Sequence, residues 1–477
     1  MNTKGTEAKP GIARTPTAEK PASKPPMQWN LPRHFEPGIP LAVLRERRKE
    51  VQRRLSERGV LVLYSAGEKT HSGSVSFPFR QDSDFYYLTG LEIFPSRLVI
   101  TGEKMVLFSD QPDPEKEIWE GLRPSHEELR ELCPVDAVYS LSDYEEQLAA
   151  LLRGRSRLYY SFGQNAAQDH EILSKLDFMI RRGRAGQSGP TGVFHTQVLL
   201  HEMRMIKSAY EIEQMLETAS ITAEAHRAIQ AAVRPGMFEY ELEALILQTF
   251  RRHDASWAYP SIVASGVNAC ILHYVENRRC IEEGDLILVD AGAAKANINS
   301  DVTRTFPASG RFTPEQRAVH DAVSRAHDAA LKKTIVGSSM DESNSAAIEV
   351  LVDFLIDEKI LLESRDACLE EELYKPFYMH RTGHFIGYDV HDVGAYYGGQ
   401  EWIEAETGPR RFRAGMVCTV EPGLYFSPGL SESRHFGGIG IRTEDDVLVT
   451  ATEPRILTTG IPRSADEIEE FIKRSRA

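Results

Sequence analysis

The stretch "EGDLILVDAG", residues 283–292, constrains this chain more than any other. Its apolar run Leu286-Ile287-Leu288-Val289 reads as a buried strand, and it ends in a carboxylate, Asp290. An unpaired carboxylate is costly to bury even after relaxation. The construction recurs in "AGMVCTVEPG", residues 414–423. In each copy a glycine (Gly284, Gly415) opens the apolar run, and an acid (Asp290, Glu421) stands six residues later. A second glycine (Gly292, Gly423) follows two residues after the acid. One such acid could simply end a strand in solvent. Two matching copies predict a duplicated unit whose acids converge.

The flanking patterns support duplication. Ser208 and Glu211 form a capping-box pair ahead of a helix with Ile212, Leu216, Ala219, Ala223, Ile229 and Val233 on its apolar side. Arg234-Pro235-Gly236 stops it; "EYELEALILQTF" is a second helix, and strands then lead to Asp290. In the second half a helix begins at Thr313-Pro314-Glu315 and ends near Gly337. "SAAIEVLVDFLI" follows as a helix, and strands lead to Glu421. Halves of this kind pack about a pseudo-two-fold axis, with strands in one curved sheet, helices outside and the acids face to face.

The remainder of the chain divides in two. Residues 1–36, rich in Pro, Lys, Ala and Thr, read as a disordered tail. Residues 37–200 read as a mixed α/β domain. "LAVLRERRKEVQRRLSERG" has helical spacing, "VLVLYS" is a strand, and "SRLVITGEKMVLFSD" is a hairpin turning at Gly102-Glu103. Residues 201–477 hold the duplicated unit.

Composition excludes several classes of function. With 70 acidic residues against 56 Lys plus Arg, the net charge of −14 argues against a nucleic-acid partner, whose binding rests on basic phosphate contacts. No apolar run approaches the roughly 18–20 residues of a membrane span. Five scattered cysteines, none in a C-x-x-C pair, point to a reducing compartment, hence a cytoplasmic location, and to no thiolate metal site.

Each half offers a second acid. Asp301, eleven residues after Asp290, fits the return strand of a hairpin that brings both carboxylates to one face. Glu444 lies 23 residues after Glu421 on a longer return. His380, His384 and His391 cluster ahead of Glu421, and His273 stands in the first half. Four converging carboxylates cannot all stay ionised without cations. Two divalent ions about 3.5 Å apart, bridged by acids, are the usual form of a two-metal hydrolytic centre. Oxygen ligands with one imidazole favour Mn²⁺, and Zn²⁺, Co²⁺ or Fe²⁺ also suit the set.

Taken in order, "LVDAGA", "SDVTRTF", "HRTGHFIGYDVHDVG", "TVEPGLY" and "GIRTEDD" resemble the aminopeptidase P and prolidase group of pita-bread metallopeptidases. "FPFRQDSDFYYLTG" (77–90) and "KEIWEGLRPS" (116–125) resemble aminopeptidase P in particular. The resemblance runs from about residue 38 to residue 474 and implies an α/β (α+β) protein. A pita-bread domain of duplicated halves around a curved, mainly antiparallel sheet would follow a smaller N-terminal domain. It implies that Asp290 chelates one metal, that His384 and Glu421 bind the second, and that Asp301 and Glu444 bridge both. It further implies that a hydroxide between the metals attacks the scissile carbonyl, with Glu421 as general acid and base. By the same resemblance His391 stabilises the oxyanion, His273 orients the substrate, and His380 and Arg442 line the pocket for the proline ring and the chain beyond. The expected substrates are peptides with proline second, and the expected assembly is a dimer or tetramer of this chain. Two features depart from the group: Arg381-Thr382 after the first histidine, and a long connection between His391 and Glu421.

Three other readings compete. A prolidase would accept only Xaa-Pro dipeptides. A non-catalytic pita-bread binding module, or a metal-free creatinase-like hydrolase, would have lost metal ligands that this chain retains. Methionine aminopeptidases have no N-terminal domain like residues 37–200.

Overall fold

The computed structural model describes residues 35–183, 188–398, 407–430 and 435–477. Apart from Phe35 and Glu36, the tail expected over 1–36 lies outside the described residues, as does 399–406 of the long connection.

The N-terminal part is built on a six-stranded mixed sheet. Its strands run in the order Ala137–Tyr139, Met105–Ser109, Ser96–Thr101, Gly59–Tyr64, Arg157–Tyr159 and Gly192–Phe194. The predicted hairpin is present, with Ser96–Thr101 antiparallel to Met105–Ser109. Alternation along Gly59–Tyr64 serves two cores. Leu61 and Leu63 face the helix Leu41–Leu55, whereas Val60 and Val62 pack with Tyr144, Leu148 and Leu176.

The C-terminal part repeats itself. The helices Ala209–Ala232 and Glu239–Arg252 pack through Ile229, Leu242 and Ile246 on Ile287, Val289 and Phe306. The helices Pro314–Lys333 and Met340–Asp357 pack through Val319, Val323, Leu351 and Leu355 on Val420, Ile441 and Val447. The glycines that open the two apolar runs share one conformation, with φ of +89° at Gly284 and +92° at Gly415, which side chains with a Cβ rarely adopt. The duplicated motif is therefore a duplicated backbone.

Local details differ from the sequence expectation. The buried face of Ala209–Ala232 is broader than the apolar stripe and includes Thr218, Thr222, His226 and Gln230, while Ile212 and Leu216 are only half-buried. Met340–Asp357 begins five residues before "SAAIEVLVDFLI", because Ser339 caps it by accepting from the Glu342 N–H. The curved surface is divided into short ladders, with Ile262–Ser265, Leu286–Asp290 and Thr303–Pro307 in one and Val417–Val420 with Asp445–Leu448 in another. The halves join where the Glu444 N–H donates to the Thr303 carbonyl at 3.0 Å and Thr305 bonds the backbone of Arg442.

Candidate metal centre

All four acids sit at strand ends, where the ladder opens. Asp290 closes Leu286–Asp290 and is paired in register with Thr303. Asp301 therefore stands just before the return strand rather than on it. Glu421 follows Val417–Val420, and Glu444 fills the gap between Gly440–Arg442 and Asp445–Leu448. His384 arrives on a segment that lies along Val417–Val420. The Thr419 N–H donates to the His384 carbonyl at 2.8 Å, and the Glu421 N–H donates to the Thr382 carbonyl at 2.8 Å.

The five side chains converge. His384 Nε2 lies 3.4 Å from Asp301 Oδ2 and 3.7 Å from Glu421 Oε1. Ligand atoms of Asp301, His384 and Glu444 all fall within 4.8 Å of one another. Asp290 and Asp301 are tied by Tyr259, whose hydroxyl is 2.5 Å from Asp290 Oδ1 and 2.5 Å from Asp301 Oδ1.

The charge balance calls for cations. Burial, with Arg442 opposing and Asp301 adding repulsion, pushes Asp290 up to about 6. Glu421 is pushed up to about 7, first by burial and against the pull of His384. Glu444 rises well above the usual range through burial and the charges of Asp301, Glu421 and Asp290. Only Asp301 is held below the ordinary value, because His384 and Tyr259 outweigh its burial. His384 shows the matching response: burial disfavours its charge, yet Asp301 and Glu421 raise it to about 9.

The donor set fits divalent metal. His384 Nδ1 is 3.1 Å from the Phe385 carbonyl, so that nitrogen carries a proton, and Nε2, which faces the carboxylates, would offer its lone pair to a cation that displaces its own proton. A single Tyr259 proton cannot satisfy two carboxylate oxygens at once, which leaves Asp290 and Asp301 with lone pairs to spare.

The other expected residues border the same cavity of about 950 Å³. His391 packs edge-on against His384, with ring centroids 4.3 Å apart, and burial with the neighbouring His384 lowers its affinity for protons. His273 lines the cavity beside Leu272 and Val275. His380 is held neutral, its pKa lowered to about 4 by burial and by Arg442. Its Nδ1 faces the Arg381 carbonyl at 2.8 Å and its Nε2 faces the Tyr425 hydroxyl at 2.8 Å. Arg442 directs Nη2 to Asp290 at 2.6 Å, Nη1 to Tyr425 at 3.0 Å and Nε to Thr303 at 3.0 Å. It is only 4% exposed, so it acts first as a brace for Asp290.

Sequence reasoning did not single out Tyr259, Tyr425 or Thr303. Thr303 Oγ1 donates to Glu444 Oε2 at 2.6 Å. A tyrosine 31 residues ahead of Asp290 carries no spacing signal, and only the fold brings it there.

Comparison with known proteins agrees with this geometry. Residues 213–451 match the model of metallopeptidase family M24, and residues 44–160 match that of the aminopeptidase P N-terminal domain. The Xaa-Pro aminopeptidase of Escherichia coli (strain K12) is 36% identical over 436 residues, covering 90% of this chain and 97% of that protein. The aminopeptidase structure from Pseudomonas aeruginosa superposes with a TM-score of 0.87 at 38% identity, covering 92% of this chain and 99% of the other. Zinc-substituted E. coli aminopeptidase P in complex with product gives a TM-score of 0.87 at 35% identity, covering 92% and 99%. The chain belongs to metallopeptidase family M24 and carries the N-terminal domain of aminopeptidase P.

Proposed function

We propose that this protein is an Xaa-Pro aminopeptidase that releases the first residue from peptides with proline second. One observation carries the reading: acids from both halves and His384 converge in one cavity, in a chain 36% identical to an Xaa-Pro aminopeptidase. Asp290, Asp301, His384, Glu421 and Glu444 would hold two divalent cations, with Mn²⁺ best suited to the oxygen-rich set. When bound, the cations polarise the scissile carbonyl and acidify water.

The chain's own residues do the remaining work. Glu421, whose proton affinity burial has raised toward neutrality, takes a proton at a carboxylate oxygen and returns it to the leaving proline nitrogen. That nitrogen belongs to a tertiary amide and needs the proton to depart. His391 donates to the carbonyl oxygen as its charge grows. His273 orients the peptide, while His380 and Arg442 hold the proline side of the pocket. Apolar walls from Ile262, Leu272, Val275 and Val390 suit a compact proline ring.

The division at about residue 200, a cytoplasmic location and assembly into dimers or tetramers belong to the same reading. Five free cysteines support the location, and among the described residues no helix is long and apolar enough to cross a membrane. Trp119, 89% exposed on the short helix Pro114–Glu120, supports self-association.

The test is a peptide panel on metal-loaded protein. Xaa-Pro-Yaa peptides should lose their first residue, peptides with alanine second should be much poorer, chelation should abolish cleavage, and Mn²⁺ should restore it best. Cleavage of Xaa-Pro dipeptides alone would make prolidase the better description. Full activity after metal removal would defeat the two-metal reading.

A further inference from the structure

His391 is assigned a demanding role with little to hold it. Its side chain is exposed, and among the described residues no hydrogen bond fixes its ring, which only abuts His384. Its direction must come from its backbone. That backbone is gripped on both sides by one buried guanidinium.

Arg204, near the end of the helix Gln197–Met205, sends Nη2 to Asp392 Oδ1 at 2.6 Å and to Asp389 Oδ2 at 2.7 Å. Its Nη1 donates to Asp84 Oδ1 at 2.7 Å, on the helix Ser83–Thr89 of the N-terminal part. Lys207 completes the clamp by donating to Asp392 Oδ2 at 2.8 Å. The side chains of Arg204 and Lys207 are 2% exposed and that of Asp392 is 0% exposed. The Asp392 N–H donates to the Phe385 carbonyl at 2.8 Å, closing the loop that also carries His384. From the N-terminal side, Ser83 Oγ donates to Asp389 Oδ1 at 2.8 Å.

We propose that Asp392, clamped by Arg204 and Lys207, is a positioning residue for the His391 imidazole, and that through Asp84 the N-terminal part braces the catalytic loop. The proposal rests on the aminopeptidase reading, since it needs His391 to act on substrate. A buried ion pair that served only as structural glue would lower stability when broken, without regard to His391. A positioning residue, whatever it adds to stability, affects turnover through His391.

A double-mutant cycle on metal-loaded protein separates the two. Asp392→Asn and Asp84→Asn are each made alone and in a His391→Ala background. The readouts are kcat, KM, metal content and melting temperature on one Xaa-Pro-Yaa peptide. Displacing a catalytic group by about 1 Å costs on the order of 10²-fold, so Asp392→Asn should lower kcat by about 10- to 100-fold. KM and metal content should stay near wild type. In the His391→Ala background the same change should leave kcat nearly untouched, because the group it positions is gone. Asp84→Asn should give a smaller loss of kcat, again only while His391 is present. It decides the matter if Asp392→Asn does not fold.

Equal fractional losses in both backgrounds, or undiminished kcat in both single variants, overturn the positioning role. If wild type cleaves and His391→Ala is impaired, that outcome leaves the aminopeptidase reading standing. A His391→Ala protein as active as wild type would overturn the positioning role together with the role given to His391.

Discussion

At the scale of single residues the proposed ligands are held differently from His391. Glu444 is buried among three other acids and bonded by Thr303, a setting in which its charge is favourable beside a cation and otherwise gives way to a proton. Glu444→Ala should lose metal and activity together. His391 is exposed and, among the described residues, no carboxylate hydrogen-bonds it, so His391→Ala should keep its metal while kcat falls by about 10²–10³-fold, the usual cost of a lost oxyanion donor. Metal analysis and turnover on the same preparations check both; metal retained in the first and lost in the second would reverse the assignment. The Tyr259 hydroxyl lies between two proposed ligands. Tyr259→Phe should weaken metal affinity by about 10- to 100-fold, as removal of a group that orients ligands typically does. Titrating the metal-free variant with Mn²⁺ measures it, and an unchanged affinity would show the hydroxyl to be idle.

At the scale of elements, the short ladders place the acids by ending where they do. Gly292 follows Asp290 by two residues, and a Cβ there would stand 1.7 Å from the Ser300 carbonyl oxygen. Backbone opposes backbone at that point, so neither side can give cheaply. Gly292→Ala should destabilise the protein by at least the 1–3 kcal/mol typical of overpacking, and it should disturb both Asp290 and Asp301. A melting temperature and metal content equal to wild type would show that the loop yields without cost. The loop bearing His273 has a different anchor. Glu239, fully buried, accepts from Ser265, Asn268, Tyr274 and the Arg279 backbone, so one carboxylate organises the segment around that histidine.

At the scale of the whole molecule, the buried charges around Arg204 join the two parts. Burial disfavours the Asp392 carboxylate, but Lys207 and Arg204 outweigh it and hold its pKa below the ordinary value. In the unfolded chain an aspartate titrates near pH 4. The pairing therefore stabilises the fold fully above about pH 4 and is lost as the pH falls through the lower folded value. The gap in melting temperature between wild type and Asp392→Asn should be constant from neutral pH down to about 4 and narrow below it. A gap that stays constant at still lower pH would show that Asp392 is not the titrating member of the clamp.

Much of this protein was legible in one dimension. The spacing of glycine, apolar run and acid in two copies exposed the duplication, because a strand with a left-handed glycine at its start leaves a periodic trace in sequence. Capping pairs such as Ser208 with Glu211 marked helix starts for the same local reason. Order and residue type singled out Asp290, Asp301, His384, Glu421 and Glu444 as a candidate set. What the sequence could not hold is everything that depends on distance through space. Tyr259 meets Asp290 and Asp301, Thr303 meets Glu444, and Arg204 meets Asp84, Asp389 and Asp392, from positions with no common period. A hydrogen bond between remote residues is set by how helices and ladders pack. Tertiary structure alone decided which buried charges found partners and which were left facing one another in the cavity.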